Sequence, residues 1–278
     1  MFQQIVVPLD GSEDAAEALA PAATLARRVG APVHIIALHD PADDPTDLEQ
    51  TILTQANDTG DVVRMVDVRP IAESVSADLR RLSDRWGPSL IVMATHGRGR
   101  SAALLGSVAN DILHRPGQPV MLVGPAAVRG RFRCHGPAVI AITGDDDEVL
   151  SLATSLLADT DFDPVIANVM DPRAARELDG ARTGPQASDL PTDSVTAQRA
   201  AARLATATGR TGIDFDVFHD RHIADPLVSE AIARRASLVV MATHARTGFE
   251  RLSNGSITAE VVRESSCPVL VTRIVDED

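Results

Sequence analysis

The chain has no tyrosine, one tryptophan and six phenylalanines, so aromatic residues fill 3% of its 278 positions. That scarcity argues against a surface that holds single-stranded nucleic acid by stacking bases on rings. The formal net charge of −13 would repel a phosphate backbone, and no nucleic-acid partner is expected. The two cysteines, Cys134 and Cys267, sit at different places in the chain's repeat and suggest no disulfide framework; a reducing cytoplasm suits them. No apolar run reaches the roughly 20 residues of a membrane span. Met1-Phe2-Gln3-Gln4 lacks the basic region and apolar core of a signal peptide. Neither GxxxxGK[ST] nor GxGxxG occurs, so both common phosphate-loop fingerprints are missing.

What the chain does have is a repeat. Residues 89–108 read SLIVMATHGRGRSAALLGSV, and residues 237–257 read SLVVMATHARTGFERLSNGSI. Met93-Ala94-Thr95-His96 returns as Met241-Ala242-Thr243-His244, and Gly106-Ser107 returns as Gly255-Ser256. A period of about 148 residues matches the length of an ordinary α/β domain and implies two copies in tandem. The Gly/Pro-rich, basic stretch GPAAVRGRFRCHGP (124–137) marks the junction. The expected organisation is a first domain over 1–127, a linker over 128–137 and a second domain over 138–278, each with its own core.

Each copy alternates short apolar runs with helical patterns. The runs Ile5–Leu9, Val33–Leu38, Val62–Val68, Leu90–Met93 and Pro119–Val123 read as five strands. In the second copy they are Val139–Ile142, Val165–Val169, Asp214–Phe218, Leu238–Met241 and Pro268–Thr272. Such runs, too short for helices, suit strands buried on both faces. Strands alternating with helices predict an α/β fold with a parallel sheet. The first helix runs from Ser12 to about Arg28 with Pro21 inside it, where a kink or shift is expected. An amphipathic helix is expected over Ile71–Trp86.

In both copies the fourth strand ends in small and polar residues, and a loop then leads to a helix opening on Gly-Ser. Small residues let the backbone approach an anion, and the first N–H groups of a helix point at it. Ser107 and Ser256 suit two compatible roles, helix N-cap and phosphate contact. His96 and His244 read as polar residues at the loop base. Asp145, Asp146, Asp147 and Glu148 read as carboxylates of a helix's first turn. Cys267 reads as a core residue and Cys134 as a linker residue.

These residues carry a resemblance to the universal stress protein family in its tandem form, over nearly all of both halves. The resemblance implies two open-sheet domains of the adenine nucleotide alpha hydrolase-like type. Each would be a five-stranded parallel sheet of order 3-2-1-4-5 with helices on both faces. Nucleotide-binding members carry G-x2-G-x9-G-[ST] after strand four and an Asp at the end of strand one. Here Ala94, Gly97 and Gly106-Ser107 stand at the motif positions of the first copy, with eight residues in place of nine before Gly106. In the second copy Ala242, Ala245 and Gly255-Ser256 stand there, with the spacing of nine kept.

The ligand implied is ATP, with or without Mg2+, across the carboxyl ends of strands one and four, where open α/β sheets bind ligands. In the first copy its neighbours would be Pro8, Leu9, Asp10, Leu38, Met93, Ala94, Gly97, Arg98, Gly106, Ser107 and Val108. In the second they would be Ile142, Thr143, Val169, Met241, Ala242, Ala245, Arg246, Gly255, Ser256 and Ile257. Asp10 matches the strand-one carboxylate; in the second copy either Thr143 or Asp145 takes its place. Leu38 and Val169 would pack on adenine. Arg98 and Arg246 could contact phosphate.

No general base and no Walker-type lysine is placed near the cradle, so a non-enzymatic, cytoplasmic stress-response module is expected. The alternatives are a slow ATP hydrolase and a copy without nucleotide that serves structure or dimerisation. Strand five, apolar and at the sheet edge, should pair with its counterpart into an internal pseudo-dimer, and a homodimer can follow.

Overall fold

The six residues QIVVPL are almost wholly buried and form the central strand β1 (Gln4–Leu9). Only a strand covered on both faces hides so short and uniform an apolar run. The computed structural model describes residues 2–57, 59–95, 106–113, 118–143, 147–170, 172, 192–244 and 257–274. After β1 come α1 (Glu13–Ala16), α2 (Leu19–Val29), β2 (Val33–His39) and α3 (Thr46–Asn57). Then follow β3 (Val63–Pro70), α4 (Val75–Asp84), β4 (Ser89–Ala94), α5 (Ser107–Leu113) and β5 (Val120–Val123). The second copy repeats the order with β6 (His135–Ile142), α6 (Asp147–Leu157), β7 (Asp161–Met170), α7 (Thr192–Thr208) and β8 (Asp214–His219). It closes with α8 (Ala224–Ala233), β9 (Leu238–His244), α9 (Ile257–Glu264) and β10 (Val269–Ile274).

Pro21 does more than kink the first helix. It has no N–H to donate to the carbonyl of Glu17, and its ring crowds that carbonyl. The helix accordingly breaks there: the N–H groups of Glu17 and Ala18 donate to the carbonyls of Asp14 and Ala15, three residues back, and α2 starts afresh at Leu19.

Among the described residues the strands form one sheet, in the order β3-β2-β1-β4-β5-β10-β9-β6-β7-β8. Within each half the order 3-2-1-4-5 holds, and all pairing is parallel. The expected pairing of the two strand-five edges is present, β5 and β10 running antiparallel with Leu122 beside Val269, Met121 beside Leu270 and Val120 beside Val271, and it joins the two expected five-stranded sheets into one. The physical reason is the apolar edge. PVMLV and PVLVT would otherwise leave backbone groups and large side chains in water. The remaining edges, β3 and β8, carry charge instead: Asp67 pairs with Arg69 on β3, and Arg234 pairs with Asp216 beside β8.

A continuous sheet merges the cores. The expectation of one core per copy is corrected: the two buried clusters divide by sheet face. One face gathers Leu25 of α2, Ile52 of α3, Leu156 of α6 and Leu204 of α7. The other gathers Leu79 of α4, Leu113 of α5, Leu227 of α8 and Val261 of α9. The segment expected as a linker over 128–137 is also more built than its composition suggested. Phe132 and Cys134 are buried, and β6 already starts at His135. Cys134 Sγ lies 3.7 Å from the carbonyl oxygen of Thr24, and burial pushes its thiol up to about 11, which keeps it protonated and unreactive.

The helix expected over Ile71–Trp86 starts only at Val75, behind the N-cap Ser74. Its first residues are taken by a buried carboxylate. Asp78 Oδ2 accepts from the N–H of Ala72 (2.7 Å) and Glu73 (3.2 Å), and Oδ1 accepts from Arg81 (2.8 Å). The donor from Ala72, with those from Glu73 and Arg81, holds the carboxyl below its ordinary range. Asp78→Ala is expected to destabilise the chain by about 2 kcal/mol, since it orphans two backbone donors. A group with a depressed folded pKa stabilises above its unfolded pKa and loses that effect as pH falls through the folded value. Denaturant melts should therefore show the wild-type advantage in full at neutral pH and shrinking below about pH 4.

Candidate functional site

The central strands part where the site was expected. β1 pairs with β4 only from Gln4–Ser89 to Val6–Ile91, although β1 runs to Leu9 and β4 to Ala94. Each keeps its outer neighbour to the end: Leu9 stays beside Ala37, and Ala94 beside Val123. The second copy does the same. β6 and β9 pair from Ala138–Leu238 to Ile140–Val240 and then diverge, while Ile142 stays beside Asn168 and His244 beside Ile274. Two crevices thus open at carboxyl ends, each at the point where the winding reverses.

In the first crevice one wall is the turn after β1. Asp10 Oδ1 accepts from the N–H (2.9 Å) and hydroxyl (2.6 Å) of Ser12, and Ser12 Oγ in turn accepts from the N–H of Ala15 (3.1 Å). Ser12 thus caps α1, and Asp10 fixes Ser12. The half-buried carboxylate stands at the strand end.

The opposite wall is the start of α5. The N–H of Gly106 donates to the carbonyl of Thr95 (2.9 Å), so the start of α5 lies against the end of β4. Thr95, 2% exposed, is itself held by its N–H to the Val123 carbonyl (3.1 Å). A Cβ on Gly106 would come within 2.9 Å of the Thr95 carbonyl oxygen, closer than side chains approach backbone, so glycine is required for this closure. The carbonyl of Gly106 accepts from the N–H of Asn110 (2.9 Å). Gly106 therefore occupies the cap position and Ser107 the first helical one, which corrects the reading of Ser107 as N-cap. The N–H groups of Ser107, Val108 and Ala109 have no acceptor within the helix.

The other expected residues fall around these walls. Leu9 and Met93 are buried, Pro8 and Ala94 half-buried, and Leu38 is a half-buried apolar residue near the end of β2. In the second crevice Ile142, Val169 and Met241 are buried, Ala242 is half-buried, and Thr143 and Ile257 are exposed. Gly97, Arg98, Ala245, Arg246, Gly255 and Ser256 lie outside the described residues, as do His96, Asp145 and Asp146. Asp147 lies in α6 and pairs with Arg203. Thr95 was not singled out from sequence, although its return as Thr243 inside the repeated Met-Ala-Thr-His was a signal that could have found it.

Comparison with known proteins now bears on this geometry. The model of the universal stress protein family matches residues 1–124 and again 139–273. The chain belongs to the universal stress protein family. Its two family segments coincide with the two halves of the sheet. It is 27% identical over 192 residues, 66% of this chain, to universal stress protein Rv2005c of Mycobacterium tuberculosis, of whose length it spans 61%. A universal stress protein structure from Archaeoglobus fulgidus shares the fold over 98% of both chains, with a TM-score of 0.66 at 16% identity. A universal stress protein solved in complex with cAMP aligns with 44% of this chain at 24% identity, with a TM-score of 0.37. Among the described residues no helix is long and apolar enough to cross a membrane.

Proposed function

We propose that this universal stress protein binds ATP in the first crevice and acts as a non-enzymatic regulatory module whose occupancy tunes its assembly or partners. The observation that carries the reading is the closure of Gly106 onto Thr95, which sets the start of α5 against the parted ends of β1 and β4. The residues present fit a nucleotide. The chain contains no lysine, so phosphate charge falls to backbone donors and to arginine. The N–H groups of Ser107, Val108 and Ala109 supply the donors, and no Cβ at Gly106 obstructs them. The Asp10 carboxylate is an acceptor for ribose hydroxyls, and Leu38 offers adenine an apolar platform. ATP itself would supply the charge and bulk that change the crevice on binding; the chain's groups bind and orient it. The second crevice has the same parting of strands, and Thr143, one of the two residues expected in the place of Asp10, is exposed there and carries no carboxylate, which favours the weaker affinity for the second crevice.

The test is calorimetric titration of nucleotide-stripped protein with ATP. Wild type is expected to give a saturable isotherm, and Asp10→Ala to bind about tenfold more weakly, a loss of about 1.4 kcal/mol. Asp10→Ala should lose only about 1 kcal/mol of stability, because it supports a helix cap and no core. Equal affinity in the two proteins removes Asp10 from the site. Mass spectrometry of nucleotide carried through purification adds the second readout: retained ATP supports a binding module, and ADP accumulating over hours points to hydrolysis.

A further inference from the structure

We propose that a cavity beside the strand-five seam is a second small-molecule site and that it takes a free amino acid with an apolar side chain. The cavity, of about 290 Å3, lies between α1–α2 and the segment joining the halves. Its size is at the lower edge of small-molecule sites, roughly 300–1,000 Å3, and junctions between units are where such sites collect. The apolar lining comes from both halves and the joining segment: Val123 at the end of β5, Phe132, and Pro268 just before β10. On the helix side Ala16, Ala20 and Thr24 line it at four-residue spacing. Ala20 and Thr24, one turn apart, share a face of α2, Ala16 ends α1 before the break, and the small side chains leave the space open.

The charged lining is balanced. The helices contribute Glu13 and Glu17, and the joining segment contributes Arg129 and Arg133. Glu17 and Arg129 form an ion pair across the cavity. Glu13 and Arg133 then remain, and neither has an ion-pair partner among the described residues. The guanidinium of Arg133 is already positioned, because Nη1 donates to the carbonyl oxygens of Gly130 (2.7 Å) and Phe132 (2.8 Å). Less side-chain freedom is therefore lost when it meets a carboxylate. A zwitterion with an apolar body matches this lining: carboxylate to Arg133, ammonium to Glu13, side chain against Val123 and Phe132. A simple carboxylate would approach against the field of a chain of net charge −13, and a simple amine would leave Arg133 unmatched. The site shares nothing with the nucleotide reading and stands or falls apart from it.

The test uses the full chain with L-leucine and its two single-charge analogues, 4-methylpentanoate and 3-methylbutylamine, followed by saturation-transfer NMR and calorimetry. Leucine is expected to bind saturably, and each analogue at least tenfold more weakly. Ala20→Leu should fill the cavity and abolish binding with the thermal midpoint nearly unchanged. Arg133→Gln should bring leucine down to the level of the amine, and Glu13→Gln down to that of the acid. The proposal is overturned if leucine shows no saturation up to its solubility limit, if either analogue binds as well, or if Ala20→Leu binds leucine like wild type.

Discussion

Gly124→Ala is expected to destabilise the chain by about 3 kcal/mol or more, near the top of the range for overpacking. Gly124 follows β5, and a Cβ built on it would lie 1.8 Å from the carbonyl oxygen of Val262 and 3.5 Å from Val262 Cγ1. Val262 belongs to α9, so the contact crosses from one copy to the other. The obstructing atom is helix backbone and cannot swing aside as a side chain would. The helix must move off the sheet, and the contacts that Val261 and Val262 make in the shared core loosen with it. A melt should show a midpoint lower by roughly 10 °C, from about 2–4 °C per kcal/mol at this chain length. The counterpart position 149 residues later is Arg273, so the close approach is not a property of the repeated unit. It belongs to the way this pair of copies is joined. A midpoint within 2 °C of wild type would mean that α9 rests less tightly on the seam than described.

Gly106→Glu is expected to abolish ATP binding at the first crevice, a loss of at least 100-fold or about 2.8 kcal/mol. Two effects combine. The Cβ, 2.9 Å from the Thr95 carbonyl oxygen, pushes the first turn of α5 away from the end of β4. The added carboxylate then sits where the phosphates are proposed to approach, and like charges brought together out of water are costly. Gly106→Ala separates the two, since it carries the crowding without the charge, and should fall between wild type and Glu. Titration of the three proteins gives the order directly. Undiminished binding in Gly106→Glu would remove the start of α5 from the site.

Much of this arrangement was legible in the sequence because it rests on local chemistry. Short apolar runs located β1 and β4, and in the first copy Met93-Ala94-Thr95 and Gly106-Ser107 fall at the end of β4 and the start of α5, whereas Gly255-Ser256 lies outside the described residues. The edge character of PVMLV and PVLVT also indicated that strands five would meet. What it did not convey was that their meeting makes one sheet, because whether two edges join in continuous register depends on packing around the seam, where Gly124 lies close under the Val262 carbonyl of α9. The same limit explains the cores. A hydrophobic stripe on α6 says that the helix is covered, not that its cover is continuous with that of α2. Boundaries failed where side chains compete with backbone: Asp78 takes the N–H groups of Ala72 and Glu73, so α4 starts at Val75 although the apolar stripe begins at Ile71. Asp10 was legible as a strand-end carboxylate, but its bond to the Ser12 hydroxyl came only with the folded turn.

The claim beneath all of this is that the leading half receives the polyphosphate of an adenine nucleotide between the Asp10 turn and the first N–H groups of α5. A crystal soaked in millimolar ATP tests it most directly. The account predicts density for phosphate against Ser107 and Val108, with the ribose beside Asp10. Crevices that stay empty, or nucleotide bound elsewhere on the chain, would contradict it.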